Sequence, residues 1–347
     1  MTGKIVVAGA LGLVGRGVLE HFETERDWDI VALSRRTPDF QTRAQSIPVD
    51  LTDRADCEAR LGRINDATHL VFAAFQGDEV ASNLAMLANL MAVIEPNNRK
   101  LRHVTLLQGG KAYGAHLGQM KVPGREDQPR HAGPNFYYAQ EDHLRALQQG
   151  KRWHWTVLRP MSVLGDAVAS PMNILAALAA YGAIARELGQ SFAFPGATRL
   201  QLGEFTDNRL LARAIQWAGQ AATARNEVFN ITNGDVIVWQ HLWPALAQQL
   251  RLESGEARPA FLAQAMADKA PVWDRIVAKH GLQPRRFEQM VGASWQFADA
   301  LLGAGDRGTV ALLSTVKIRQ AGFQDCLDSE QALRWWFVEL RRRRVMP

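Results

Sequence analysis

A glycine-rich turn near the start of the chain restricts the possible folds more than any other feature of the sequence. It reads Val7-Ala8-Gly9-Ala10-Leu11-Gly12-Leu13-Val14-Gly15 and lies between a predicted strand, Lys4–Ala8, and a predicted helix, Gly12–Phe22. Gly9 permits a tight turn, Gly12 lets the backbone approach a pyrophosphate, and Gly15 permits close packing of helix on strand. A phosphate then binds the backbone N–H groups at the helix start, including those of Leu13 and Val14. The alternative is a glycine turn that binds no ligand. The position of this turn between a strand and a helix disfavours that alternative.

The first 165 residues alternate short apolar runs with amphipathic stretches, which is typical of βαβ units around a parallel sheet. After Gly165 this alternation weakens and most of the pattern becomes helical. We therefore predict an α/β fold, a Rossmann-type doubly wound parallel sheet with a smaller, mostly helical C-terminal portion. Further strands are predicted at Ile30–Ser34, Leu70–Ala74, His103–Gln108, Trp155–Arg159 and Val228–Ile231, and further helices at Ala81–Ile94, Met172–Leu188 and Asn208–Gly219.

These patterns also predict two portions of the chain with different tasks. Residues 1–165, with 205–232 returning to them, are expected to form the dinucleotide-binding Rossmann domain. Residues 166–204 and 233–347 are expected to form the substrate-binding or lid portion, with the substrate lying between the two. Pro195-Gly196 and Gly303–Gly308 read as loop or lid segments.

The composition indicates a soluble globular protein. The 347 residues are 47% hydrophobic, which is ample for a core, and the apolar run at Ile5–Leu13 is too short to span a bilayer. No secretory signal begins the sequence, so we expect a cytoplasmic location without membrane binding. The two cysteines and nine histidines show no metal-binding spacing, which predicts no metal. The basic run Arg341–Arg344 lacks a recognition module around it, so we expect a solvated face and no nucleic-acid binding.

The end of the second predicted strand indicates which dinucleotide binds. An acidic residue there would favour NAD by accepting hydrogen bonds from the ribose, but the chain has Ser34-Arg35-Arg36. A guanidinium makes bidentate, charge-assisted bonds to a 2′-phosphate, so NADPH is the predicted cofactor. Ordinary surface charge is the alternative for both arginines. Two further pairs are expected to line the cofactor, Asp50-Leu51 at the adenine and Ala73-Ala74 at the pyrophosphate and ribose.

A tyrosine pair marks the candidate catalytic centre. In Asn135-Phe136-Tyr137-Tyr138, the residue four positions after Tyr137 is Glu141, where short-chain reductases normally carry a lysine. The chain must therefore supply its cation from elsewhere. Lys111 is the best candidate, because its loop follows an apolar strand and so opens on the sheet edge where cofactors bind. Tyr138 is the rival to Tyr137, and an aromatic residue that only packs the helix is the further alternative. We expect Glu141 and Asp142 to form caps or ion pairs.

Together these segments resemble the progesterone 5β-reductase/iridoid synthase-like enone reductases, an atypical branch of the short-chain dehydrogenases. The resemblance runs nearly from end to end of the chain. Besides the tyrosine motif and the Lys111 loop, it includes Leu158-Arg159-Pro160, Phe229-Asn230-Ile231-Thr232-Asn233-Gly234-Asp235, Trp239, Trp243-Pro244 and Ala321-Gly322-Phe323. One departure is Ala112, where the family usually has a histidine after the loop lysine. The resemblance implies the extended short-chain fold.

The resemblance also implies roles for these residues. Tyr137 would stabilise the oxygen of an enolate, and Lys111 would bind the nicotinamide ribose and lower the pKa of the phenol. The usual catalytic serine is absent, because Gln108-Gly109-Gly110 stands at the end of the fifth strand. The nicotinamide would contact Pro160, Met161 and Val163, and the phosphates would contact Ser170 and Met172.

Three functions follow from these expectations. The first is an NADPH-dependent reductase of the C=C bond of small-molecule α,β-unsaturated carbonyls. The second is an NADPH-dependent carbonyl reductase that uses the same tyrosine, and the third, disfavoured by the retained tyrosine, is a noncatalytic NADP-sensing protein. The sequence leaves open whether two copies of the chain form a homodimer. Four aromatic residues are either core or walls of the substrate pocket, with core the default: Phe192, Phe194, Trp295 and Phe297.

Overall fold

The structure, a computed structural model, describes residues 3–118, 120–306 and 310–347. Part of the loop expected at Gly303–Gly308 therefore lies outside the described residues. The strands are β1 (Gly3–Ala8), β2 (Trp28–Ser34), β3 (Gln45–Pro48), β4 (His69–Phe72), β5 (His103–Leu107), β6 (His154–Pro160), β7 (Val163–Leu164), β8 (Phe192–Ala193), β9 (Leu202–Gly203), β10 (Thr206–Asp207), β11 (Glu227–Ile231), β12 (Ile237–Val238) and β13 (Ser254–Gly255).

The α-helices occupy much of the remaining chain. None of those in the described ranges has the length and apolarity that crossing a membrane requires. They are α1 (Leu13–Thr24), α2 (Arg54–Leu61), α3 (Val80–Asn97), α4 (Phe136–Gln148), α5 (Ile174–Glu187), α6 (Asn208–Ala218), α7 (Trp239–Gln249), α8 (Leu262–Ala265), α9 (Ala270–His280), α10 (Phe287–Val291), α11 (Ser294–Leu302), α12 (Val316–Gln320) and α13 (Ser329–Arg342).

The main sheet has seven parallel strands in the order β11-β6-β5-β4-β1-β2-β3. From β1 the order runs one way to β2 and β3 and the other way to β4, β5 and β6. This is the doubly wound arrangement that the sequence predicts, so the predicted fold class is confirmed. The carboxyl ends of β1 and β4 therefore flank the point where the strand order reverses, which is where such sheets bind ligands.

The predicted strands and helices appear with small changes at their ends. The fourth strand ends at Phe72, so Ala73 and Ala74 lie just beyond it. The fifth ends at Leu107, which leaves Gln108 in the following loop. The buried central strands are rich in β-branched and apolar residues, which explains why the pattern located them well.

The chain divides into two compact units. The first consists of Met1–Pro160, Asn208–Ile231 and Leu313–Asp325, and it contains the seven-stranded sheet. The second consists of Met161–Asp207, Thr232–Leu312 and Cys326–Pro347. It is mainly helical and contains the short paired strands β7 with β10, β9 with β12 and β8 with β13.

Aromatic side chains fill the core of the second unit. Phe192 stacks on Trp243 with ring centroids 4.4 Å apart, and Phe194 meets the same indole edge-on at 5.1 Å. Trp295 is also buried, and Phe297 packs against this core while partly exposed. Phe192, Phe194 and Trp295 are thus core residues of this unit, which was the default expectation for them.

Three adjacent strands of the main sheet begin with a histidine. The register pairs His69 with His103 and His103 with His154. The rings of His69 and His103 lie 6.4 Å apart, and the two residues are 8% and 3% exposed. Burial lowers the pKa of His69 to about 4 and that of His103 to about 3. Nearby positive charge acts in the same direction, from Arg102 on His69 and from Arg225 on His103.

This histidine row predicts a loss of stability in weak acid. A histidine in the unfolded chain binds a proton near pH 6.5, whereas His69 and His103 stay neutral in the folded state. The free energy of unfolding therefore keeps its full value above that pH and decreases below it. At pH 5 each of the two should lower the free energy of unfolding by about 2 kcal/mol relative to pH 7. Urea denaturation at both pH values measures this loss.

The matched variants are His103→Leu and His241→Gln, the second at an exposed position of α7. His103→Leu should flatten the pH dependence of the free energy of unfolding, because it removes one buried histidine that stays neutral in the folded state. The second should keep the wild-type dependence. An unchanged dependence in His103→Leu would refute the assignment.

Candidate active site

The predicted glycine turn follows β1 and is too crowded for side chains. Gly9 has a φ of 76°, and a Cβ atom there would come within 2.6 Å of the carbonyl oxygen of Ala73. A Cβ atom at Gly15 would collide with the carbonyl group of Gly9. Ala73, whose N–H donates to Ala8 at 2.9 Å, thus packs directly on the turn. Glycine is required here by close approach of the backbones of two neighbouring strand ends.

Helix α1 begins with its N-terminal backbone groups unscreened by side chains. Gly12 is the N-cap and supplies no side-chain acceptor, and the first turn of this fully described helix has no acidic residue. The first N–H groups of a helix, here from Leu13 onward, have no partner within the helix and attract anions. Together with the crowded glycine turn, this arrangement fits the pyrophosphate of a dinucleotide.

Two arginines follow β2 at the expected adenine end. Arg35 and Arg36 are both exposed, and the N–H of Arg36 donates to the Ser34 hydroxyl at 3.3 Å. Hydrogen bonds from Thr52 hold the pKa of the Asp50 carboxyl below its ordinary value, with a smaller contribution from the charge of Arg35. Arg35 and Asp50 therefore lie near each other, after β2 and β3. Leu51 beside them is buried, and Ala74 follows Ala73 beyond β4.

Tyr137 lies in the first turn of α4. The Asn135 side chain caps this helix by accepting a hydrogen bond from the Tyr137 N–H at 2.9 Å. The phenolic oxygen of Tyr137 is 3.4 Å from the place a Cβ atom would take on Gly109. Gly109 therefore lies directly beside the phenol. Among the residues that the structure describes, the Tyr137 hydroxyl has no hydrogen-bond partner, so it is free to donate to a substrate.

Tyr138 has a structural position. Its hydroxyl donates to the carbonyl oxygen of Ala112 at 2.7 Å and accepts from the N–H of His131 at 3.1 Å. The Arg130 guanidinium lies 4.7 Å from its ring centroid. These contacts fix the loop that carries Lys111 and leave the hydroxyl of Tyr138 occupied. Geometry thus separates the two tyrosines.

Lys111 lies in a tight turn at Gly110–Tyr113, after β5. Its ammonium pairs with the Asp78 carboxylate and lies 5.5 Å from the centroid of the Phe75 ring. The Asn135 amide donates to the carbonyl oxygen of Lys111 at 2.9 Å. One asparagine therefore connects the turn that carries Lys111 to the helix that carries Tyr137.

The pKa of Tyr137 is raised, whereas the sequence analysis expects Lys111 to lower it. Burial raises this pKa first, the Asp78 carboxylate raises it further, and the charge of Arg159 opposes both. Burial is thus the main reason for the raised pKa, and the Asp78 carboxylate, which pairs with Lys111, adds to it. In this structure Tyr137 is a protonated hydrogen-bond donor.

Glu141, four residues after Tyr137, is a buried ion-pair partner. Its carboxylate contacts Arg159 at 3.1 Å and Arg145 at 2.9 Å. Asp142 pairs with Arg130 at 2.8 Å. Both acids thus form ion pairs, as expected.

The remaining predicted cofactor residues lie around the end of β6 and beyond it. Pro160 ends β6 in the first unit, and Met161 begins the second unit. The Met161 N–H donates to the Thr206 hydroxyl at 3.1 Å, and Val163 begins β7. The carbonyl oxygen of Ser170 accepts a hydrogen bond from Ser294 at 2.8 Å, and Met172 is 36% exposed. Their contacts with a cofactor remain predictions.

Sequence reasoning missed several side chains that hold the site. The sequence prediction includes Asn135 only as part of the tyrosine motif, although an asparagine directly before a helix is a recognisable N-cap signal. The prediction includes Gln108 only as the replacement of the usual serine, whereas its side-chain amide donates to the carbonyl oxygen of Tyr137 at 2.9 Å. No sequence signal links Asp78 to Lys111, since they lie 33 residues apart.

Comparison with known proteins identifies the family. The family described as the PRISE-like Rossmann-fold domain matches residues 49–302, which is more than half of the chain. The chain belongs to this family. The predicted resemblance is therefore confirmed, and the PRISE-like chain is an oxidoreductase of the short-chain dehydrogenase/reductase superfamily.

Its relatives include two characterised plant enzymes. It is 31% identical to an (S)-8-oxocitronellyl enol synthase of Nepeta racemosa, over 99% of this chain and 92% of that protein. It is 30% identical to the 3-oxo-Δ4,5-steroid 5β-reductase of Arabidopsis thaliana, over 99% of this chain and 92% of that protein.

Solved structures share the fold at low sequence identity. The UDP-glucose 4-epimerase of Thermotoga maritima has a TM-score of 0.68 at 16% identity, covering 98% of this chain and 99% of its own. The UDP-glucose 4-epimerase of Thermus thermophilus has a TM-score of 0.66 at 15% identity, and the match covers 97% of this chain and 99% of that chain. The PRISE-like chain therefore has the extended short-chain fold.

The double role of Asn135 gives a testable prediction. Asn135→Ala removes the cap of α4 and the bond to Lys111, so it should lower the free energy of unfolding by about 1 kcal/mol and also reduce turnover. Asp328→Ala removes the cap of α13, which accepts from the Gln331 N–H at 2.8 Å, and is the matched control. It should lower stability similarly without reducing turnover. Urea denaturation and steady-state kinetics test both variants, and equal turnover in the two would contradict the link.

Proposed function

We propose that the PRISE-like chain is an NADPH-dependent reductase of the C=C bond of α,β-unsaturated carbonyls. NADPH, when bound, supplies a hydride. Addition of that hydride at the β-carbon shifts the double-bond electrons to the carbonyl oxygen, which becomes an enolate oxygen. A solvent proton at the α-carbon then completes the saturated carbonyl product. The protein's task is to position the substrate oxygen and stabilise its charge.

The free hydroxyl of Tyr137 is the observation that carries this proposal. It is held at the start of α4, next to Gly109, and it is protonated, so it can donate to a developing enolate oxygen. The usual short-chain serine is replaced by Gln108, whose side chain is occupied by Tyr137 and Arg159. A single donor suits an enolate better than an alkoxide, because an alkoxide also needs direct protonation.

Lys111 and the glycine turn account for the cofactor in this proposal. Gly9, Gly12 and Gly15 hold the pyrophosphate, and Lys111 binds the nicotinamide ribose after exchanging part of its contact with Asp78 for the ribose hydroxyls. Exposed Arg35 and Arg36 bind the 2′-phosphate, which selects NADPH. The names of the two plant relatives, an enol synthase and a Δ4,5-steroid reductase, support an enone as the substrate class.

A substrate panel tests the reaction type. Enones, aldehydes and ketones are incubated with NADPH, its absorbance is followed, and the products are identified. The proposal expects saturated carbonyl products from enones. Alcohols as the main products would replace it with the carbonyl-reductase alternative.

The cofactor prediction concerns the two arginines after β2. The enzyme should prefer NADPH to NADH by at least about tenfold in kcat/KM, since losing one phosphate–arginine contact costs about 1.5–3 kcal/mol. The Arg35→Ala/Arg36→Ala double variant should lose most of this preference while keeping its activity with NADH. A double variant with the wild-type preference would place the 2′-phosphate elsewhere.

The catalytic prediction concerns the phenol. Tyr137→Phe removes one donor and keeps the aromatic ring, so kcat for weakly activated enones should fall about 10²-fold. Reactive enones should keep measurable reduction because they need less help at the oxygen. Tyr138→Phe is the adjacent control and should be mild. A crippling Tyr138→Phe with a neutral Tyr137→Phe would reverse the assignment.

A further inference from the structure

A buried polar cluster lies in the first unit at the carboxyl end of β6, around Arg159. Arg159 is 6% exposed, and its three neighbours Gln108, Tyr113 and Glu141 are 5%, 8% and 4% exposed. Buried guanidinium groups are rare unless their donors are paired. Each donor nitrogen of Arg159 has a separate partner here.

The three bonds reach three different segments of the site. Nε of Arg159 donates to Oε1 of Gln108 at 2.8 Å, just after β5. Nη1 donates to the Tyr113 hydroxyl at 3.0 Å, and Nη2 donates to Oε2 of Glu141 at 3.1 Å. The rigid fork of a guanidinium fixes the relative positions of such partners.

Each partner is connected to one of the two candidate catalytic residues. Gln108 donates through Nε2 to the carbonyl oxygen of Tyr137 at 2.9 Å. Glu141 lies one helical turn beyond Tyr137 on α4. Tyr113 belongs to the same tight turn as Lys111. The hydrogen bonds given above therefore join Arg159 to the supports of both residues rather than to their side chains.

A second polar residue anchors the tyrosine end of this cluster. The Tyr113 hydroxyl donates to Oδ1 of Asn230 at 2.6 Å. Asn230, on β11, is fully buried and also donates to the carbonyl oxygen of Gly124 at 3.0 Å. Arg159 and Asn230 thus both hold the turn with Lys111 through the Tyr113 hydroxyl.

The cluster also accounts for the acid at position 141. A lysine four residues after Tyr137 would direct its charge toward Arg159, which is costly for two buried cations. Glu141 neutralises Arg159 instead, and it receives Arg145 from the outside at 2.9 Å. The cation near Tyr137 is therefore on β6 rather than on α4.

We propose that Arg159 is a positioning residue for the reaction, holding the Tyr137 helix and the Lys111 turn in their catalytic arrangement through Gln108, Tyr113 and Glu141. This inference rests on the proposed function. The opposing effect of the Arg159 charge on the pKa of Tyr137 agrees with their proximity. Misplacement of a donor by about 1 Å can lower a rate about 10²-fold, so the effect should appear in turnover.

The main test removes the buried pair as a whole. Glu141→Met/Arg159→Met leaves no unpaired buried charge, and such replacements often keep the fold. We expect cooperative unfolding and, at saturating NADPH, a kcat for enone reduction about 10- to 100-fold lower. A kcat close to wild type would overturn the proposal.

Two further variants separate positioning from general stability. Arg145→Met removes the outer, half-exposed partner of the same Glu141 carboxylate and should keep kcat. Tyr113→Phe removes the hydroxyl through which Arg159 and Asn230 hold the Lys111 turn and should lower kcat several-fold, which provides the test if the double variant does not fold. Equal kcat in Arg145→Met and Tyr113→Phe would contradict the proposal.

A spectroscopic measurement keeps the test independent of turnover. The chain has four tyrosines, so isotope labelling at the ring carbon that bears the hydroxyl gives four NMR signals, assigned with Tyr→Phe variants. In the double variant the signals of Tyr113 and Tyr137 should both move, and that of Tyr181 should stay. An unmoved Tyr137 signal in the double variant would overturn this inference, whatever the activity of the wild-type chain. If the wild-type chain reduces no enone, that result overturns only the proposed function.

Discussion

The reversal of strand order between β1 and β4 determines where every candidate residue of the first unit can lie. In a parallel sheet the loops after the strands meet at one edge, and at this reversal they leave an opening. Gly9 and Ala73 follow the two strands that flank it, and Lys111 follows β5. The packing is so close at Gly9 that only glycine fits. In the proposed function, cofactor binding and catalysis therefore depend on the same sheet edge.

Charge placement distinguishes this site from the usual short-chain arrangement. The common lysine position on the tyrosine helix holds Glu141, and the buried cation is Arg159 on the neighbouring strand. The second cation, Lys111, pairs with Asp78 on a separate loop. Tyr137 thus remains a protonated donor, which is the form that stabilises an enolate oxygen. A strongly ionised phenol would accept a proton instead of donating a hydrogen bond.

The sequence predicted what depends on local pattern and on family motifs. The glycine turn, the strand and helix order, and the preference for Tyr137 over Tyr138 all follow from contiguous segments. What it could not predict depends on contacts between distant segments: Asp78 with Lys111, and Arg159 with Glu141, which are 33 and 18 residues apart. Such ion pairs have no periodic signature. The lowered pKa expected for Tyr137 is not found, because burial of the phenol raises its pKa and the Asp78 carboxylate adds to this effect.

The most direct measurement of the central claim is the fate of the hydride. Wild-type protein is supplied with NADPH that carries deuterium at the transferable position, together with an enone, and the product is analysed by NMR. Our account predicts deuterium at the β-carbon of a saturated carbonyl product and none at the carbonyl carbon. Deuterium at a carbinol carbon, in a product that retains its C=C bond, would contradict it.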